Sequence, residues 1–151
     1  MSTATFRRLF LIDKKLLERK VLKIEEYLRE LKSVKVETLQ DYRKNFVVKR
    51  FIERNLELII EQIIDICRHL VSRISSRVPE TYSECFEILA EEGLINLKNV
   101  EVYKKMAKFR NLLIHSYDKV DDEIVYGIYK KHLNDFSVFL QEMKVLLKSD
   151  S

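Results

Sequence analysis

Between Ile52 and Ile74 seven apolar side chains recur at steps of four and three: Ile52, Leu56, Ile59, Ile63, Ile66, Leu70 and Ile74. That period follows one face of an α-helix and suits no strand. Leu58, Ile60, Ile64, Cys67 and Val71 widen the face, so the pattern predicts a central helix from Phe46 to about Ile74 packed on more than one side. Its polar stripe is Glu53, Glu57, Glu61, Asp65 and His69, each four residues from the last. No stretch of the chain sustains the period-two alternation of a half-buried strand.

The flanking segments carry the same signature. Leu17, Val21, Ile24, Leu28 and Leu31 form one stripe of a helix expected over residues 6–32. Thr38 with Asp41 reads as a cap opening a short helix, and Thr81 with Glu84 as a capping box before Phe86, Ile88 and Leu89. Pro79 ends the central pattern, and Gly93 is the natural stop for the helix that begins at Thr81. Another helix is predicted from about Leu97 toward Tyr117. The last starts at Asp121, Asp122 and Glu123, and its stripe is Val125, Ile128, His132, Phe136, Phe139, Met143 and Leu146. The expectation is a single all-α domain over residues 1–151, a bundle of about five to six helices whose terminal helices run antiparallel to the central one.

Composition narrows the function classes. Two glycines and one proline in 151 residues leave no room for glycine-rich nucleotide loops or a β-sandwich. Apolar runs of about four residues fall far short of the ~20 a membrane-spanning helix needs, so no membrane role is expected. Two cysteines, Cys67 and Cys85, far apart in the chain, fit a reducing, cytoplasmic compartment. The net charge is +4, yet residues 1–50 hold 14 basic against 7 acidic side chains. Such a bias steers polyanions such as RNA, or is simply a solvated lysine-rich face.

Three histidines are available for chemistry. His69 and Asp65 share a face, but Cys67 points about 160–200° away, so no metal site is expected there. His132, on an apolar stripe, reads as a satisfied core or interface histidine. His115 differs, because Arg110, Asn111, His115 and Tyr117 crowd one helix end. Arg110 and His115 lie about 140° apart around the axis, Asn111 and His115 about 40°, and Arg110 and Tyr117 about 20°. One helix thus shows an Asn–His edge and an Arg–Tyr edge that do not converge. A two-fold copy would bring the arginine of one chain toward the histidine of the other. The plainer alternative is an ordinary helix terminus with polar ends.

Arg110-Asn111, three residues, His115, one residue, Tyr117 resembles the signature of the HEPN superfamily, and within it the HepT-like toxins paired with minimal nucleotidyltransferases (MNT). The resemblance extends through Val47–Ile66, through Thr81–Gly93 and through Met106–Asn111, and so covers nearly the whole chain. It implies a HEPN-like helical homodimer acting as a metal-independent endoribonuclease without a cofactor. Arg110, His115 and Asn111 would be catalytic, with Asn111 either orienting the imidazole or holding a phosphate oxygen. It further implies neutralisation by a cognate MNT antitoxin that adds AMP to Tyr117, unless that tyrosine only packs near a turn. The alternatives are a non-catalytic dimeric scaffold that regulates a nucleotidyltransferase, and an RNA-binding module without cleavage.

Overall fold

The computed structural model describes residues 2–148, with Tyr117 described by its backbone alone. Those residues form eight α-helices and no strand: α1 Thr3–Arg8, α2 Lys14–Ser33, α3 Leu39–Lys44, α4 Phe46–Ile74, α5 Tyr82–Glu91, α6 Val100–His115, α7 Asp122–Lys131 and α8 Asn134–Lys148. None of them is long and apolar enough to cross a membrane.

The stripes read from the sequence are the buried ones. Leu17, Val21, Ile24, Leu28 and Leu31 of α2 are all enclosed, and so are all seven residues of the α4 stripe. Three contacts register α2 against α4 in antiparallel sense: Asp13 with His69, Lys20 with Asp65, and Tyr27 with Asn55. α5 and α6 close the opposite side of α4, while α8 docks chiefly on α2, where Lys144 reaches Glu25 at 3.4 Å. Tyr103 of α6 donates its hydroxyl to Glu142 of α8, and burial pushes that phenol's pKa up.

Local chemistry explains where elements stop. Thr81 Oγ1 accepts from the Glu84 N–H at 3.1 Å, while the Glu84 carboxylate accepts from the Glu80 N–H at 2.6 Å. At the other end of α5, Gly93 takes φ 77°, the left-handed region that a side chain disfavours. The N–H of Gly93 bonds to Ala90 O and that of Leu94 to Leu89 O, which closes the last turn.

Two helices expected as continuous are broken. Asp13 caps α2 by accepting from the Leu16 N–H at 3.0 Å, so residues 3–33 form two helices with a 3-10 turn, Leu9–Leu11, between them. The C-terminal stripe is likewise split at His132 and Leu133. His132 closes α7 with its N–H on Ile128 O, and short-range bonds from Asp135 to His132 O and from Phe136 to Leu133 O open α8. The apolar period survives the break, which is why the stripe reads as unbroken. Its one polar member is not a core histidine: the His132 side chain is 59% exposed, 3.8 Å from Asp135.

Candidate active site

α6 carries the signature without interruption, and its inner face decides where the signature points. Phe109 and Leu113 are buried among the core residues, so the helix cannot rotate. That leaves Arg110 half-buried and Asn111, Leu112 and His115 exposed. Arg110 Nε is fully enclosed with no hydrogen-bond partner, and no carboxylate pairs with this guanidinium among the described residues. An enclosed donor left unpaired costs about 1–3 kcal/mol, so local stability does not explain the arrangement. His115 likewise makes no hydrogen bond or ion pair among the described residues.

Within one chain these groups do not converge. Arg110 and His115 are five residues apart on a regular helix, about 140° around its axis and about 7.5 Å along it. Asn111 and His115 do share an edge, about 40° apart. The expected Arg–Tyr edge does not hold, because α6 ends at His115. Ser116 leaves the helix with φ −143° and ψ 38°, its N–H on Leu112 O at 2.9 Å. Tyr117 then opens the single 3-10 turn Tyr117–Lys119, and its side chain lies outside what is described.

The surroundings are fixed by ion pairs. Lys49 of α4 meets Asp122 of α7 at 2.8 Å, which ties the far end of the segment 116–121 to α4. Beside Leu113, α4 presents Arg50, Glu53, Arg54 and Glu57 around a cleft of about 330 Å³. Arg54 binds Glu57 at 2.7 Å and Arg50 lies 3.6 Å from Glu53. Burial raises the pKa of the Glu53 carboxyl against the pull of Arg50 and Lys49, and Asp122 adds to the rise.

The remaining histidine is structural. His69 Nε2 accepts from the Asp13 N–H at 3.1 Å, and Asp65 turns to Lys20 at 3.2 Å rather than to His69. Among the described residues no three His, Cys, Asp or Glu side chains gather closely enough to hold a metal ion. Cys67 and Cys85, distant in sequence, meet thiol to thiol between α4 and α5; both are free and buried, and burial drives the Cys67 pKa up.

Asn111 does not stand alone, which sequence reasoning missed. It borders a cleft of about 500 Å³ together with Lys108 of its own helix, Arg68 of α4 and Tyr82 of α5. Lys108 is readable from the period of α6, being two turns before His115 and about 20° from it. Arg68 and Tyr82 arrive from other helices, and no local pattern connects them to the signature.

Comparison with known proteins gives the family and the fold. The ribonuclease HepT-like family model matches residues 24–143. The tRNA nuclease HepT of Aphanizomenon flos-aquae is 30% identical over 144 residues, covering 87% of this chain and 96% of the relative. The mRNA nuclease HepT of Shewanella oneidensis is 28% identical over 103 residues, covering 68% and 77%. The tri-AMPylated HEPN toxin of Shewanella oneidensis, solved in complex with its MNT antitoxin, superposes with a TM-score of 0.78 at 25% identity, over 86% of this chain and 97% of that one. The chain therefore belongs to the ribonuclease HepT-like family, with its all-α HEPN-like fold.

Proposed function

We propose that this chain is an endoribonuclease toxin that cleaves cytoplasmic RNA without a metal ion, at a site composed across a two-fold dimer. The observation that carries the reading is the state of the signature residues. Arg110 and His115 are both left without a partner among the described residues, on a helix whose inner face locks it in place.

The parts suit the chemistry. Imidazole exchanges protons near neutral pH, so one His115 takes the proton of the ribose 2′-hydroxyl. The 2′-oxygen then attacks phosphorus, the bond to the 5′-oxygen breaks, and the second His115 of the dimer gives that oxygen a proton. The products are a 2′,3′-cyclic phosphate and a 5′-hydroxyl. Arg110 supplies a rigid fork of donors to the charge that builds on the phosphoryl oxygens. Asn111, on the edge of His115, either orients the imidazole or holds a phosphate oxygen.

The toxin is neutralised by a partner MNT nucleotidyltransferase that adds AMP to Tyr117. Support comes from the matching position of this tyrosine in the signature and from the AMPylated toxin of Shewanella oneidensis solved with its antitoxin.

The test is cleavage of single-stranded RNA by purified protein in EDTA. His115→Ala and Arg110→Ala should each lower turnover by ~10²–10⁴-fold while leaving helicity unchanged. His132→Ala, an exposed side chain outside the signature, should change neither. Loss of activity in EDTA, or cleavage retained by His115→Ala, contradicts the mechanism.

A further inference from the structure

The cleft beside Asn111 is built from three helices. Its floor is two small buried side chains, Ala107 of α6 and Cys85 of α5. Its walls are Arg68, Lys108 and the half-buried ring of Tyr82. At about 500 Å³ it falls within the range of about 300–1,000 Å³ typical of small-ligand sites.

Charge and position narrow what it takes. Arg68 and Lys108 are exposed, and neither makes an ion pair or hydrogen bond among the described residues. The one carboxylate on the rim is Glu80, so the lining is cationic on balance. Lys108, Asn111 and His115 run in line down one edge of α6, with about 10.5 Å of helix rise from first to last. The cleft therefore opens onto the edge that carries the proposed catalytic imidazole. On its far side, Arg68 and Pro79 also border a second cleft of about 520 Å³ with Arg77 and His69, which extends the groove away from His115.

We infer that this cleft is a nucleotide subsite for the RNA strand beside the scissile bond: Arg68 and Lys108 hold a backbone phosphate, and the Tyr82 ring takes the adjoining base. The inference rests on the ribonuclease reading above and adds the residues that grip the substrate. Two cations lining one groove, without an ion pair among the described residues, suit a polyanionic strand, and an aromatic ring in the same lining suits a base of any identity. A floor of Ala107 and Cys85 leaves room that a larger side chain would fill.

The experiment measures binding apart from cleavage. Full-length His115→Ala protein is titrated against a short fluorescein-labelled single-stranded RNA, followed by anisotropy at several salt concentrations. Adding Arg68→Ala with Lys108→Ala should weaken binding at least about tenfold and lower the slope of log affinity against log salt by about 0.7, from the one phosphate no longer neutralised. Tyr82→Leu should weaken binding by about tenfold with little change of slope, and Tyr82→Phe should restore it. Lys23→Ala with Lys32→Ala, on the exposed face of α2, should leave both quantities as they were. With His115 intact, the Arg68 and Lys108 pair should raise KM more than it lowers kcat. Unchanged affinity, slope and KM in that pair overturns the subsite while leaving the ribonuclease reading standing. A parent chain that binds RNA through these residues but never cleaves it overturns the ribonuclease reading instead.

Discussion

Arg110 and His115 leave one unbroken helix about 140° apart around its axis, so the two side chains set out from it in different directions. The arginine is turned partly into the protein and the histidine outward, as the last helical residue before Ser116. In the proposed arrangement a second copy of α6, related by a two-fold axis, brings the two residue types face to face.

The expected assembly is therefore a two-fold dimer containing both copies of the segment from Arg110 to Tyr117. Light scattering should give twice the 18.1 kDa chain mass. Specific activity should fall on dilution below the dimer dissociation constant. A monomer with full specific activity rules out the composite site.

How much of this was readable from the sequence depends on the range of the physics involved. Burial of one helix face is periodic, so the α2 and α4 stripes and the place of His115 at a helix end were legible. Caps were legible where a box repeats the pattern, as at Thr81 and Glu84. Asp13 acts singly and the break at His132 and Leu133 is made by backbone bonds, and both interrupt an apolar period that continues across them; the two extra helices and the exposed His132 follow from that. The surroundings of Asn111 were not legible at all. Arg68, Tyr82 and Cys85 reach α6 through the packing of three helices, and no spacing along the chain encodes it.

Gly127 lies within α7, and a Cβ built there meets no atom within 4 Å. Glycine inside a helix is about 0.8–1.0 kcal/mol worse than alanine, mainly through backbone entropy. Gly127→Ala should therefore raise stability by ~1 kcal/mol, read from denaturant or thermal unfolding. A destabilised variant would show that the position is more crowded than the fold makes it.

His69 gives stability a defined pH dependence. Its pKa lies below the ordinary histidine value because burial, then Arg73, and last Lys20 oppose the charged form, with Asp13 pulling the other way. Asp65 borders the same cleft but pairs with Lys20. The folded state thus binds fewer protons here than the unfolded state. The contribution is fully present above the unfolded value of about 6.5 and is lost as pH falls below it toward the folded one. Between about pH 7.5 and about pH 5.5 the parent should lose more Tm than His69→Gln, whose amide oxygen can still accept from the Asp13 N–H. Equal losses would mean that His69 titrates alike in the folded and unfolded states.

The last prediction concerns control. Tyr117 opens the turn that follows α6, two residues beyond His115, and Lys49 of α4 holds Asp122 at the start of α7 after that turn. AMP added there places a bulky anion next to the segment that carries the proposed catalytic histidine. Its charge competes with RNA phosphate for the guanidinium of Arg110, and its bulk obstructs the strand. Incubation with the partner nucleotidyltransferase, ATP and magnesium should put the adduct on Tyr117, visible by mass spectrometry, and suppress RNA cleavage. The magnesium serves the partner's chemistry. Tyr117→Phe keeps the ring and removes only the accepting hydroxyl, so it should cleave RNA like the parent and escape suppression. If Tyr117→Phe is suppressed as fully as the parent, or the adduct sits on another residue, neutralisation works by binding alone or through a different acceptor.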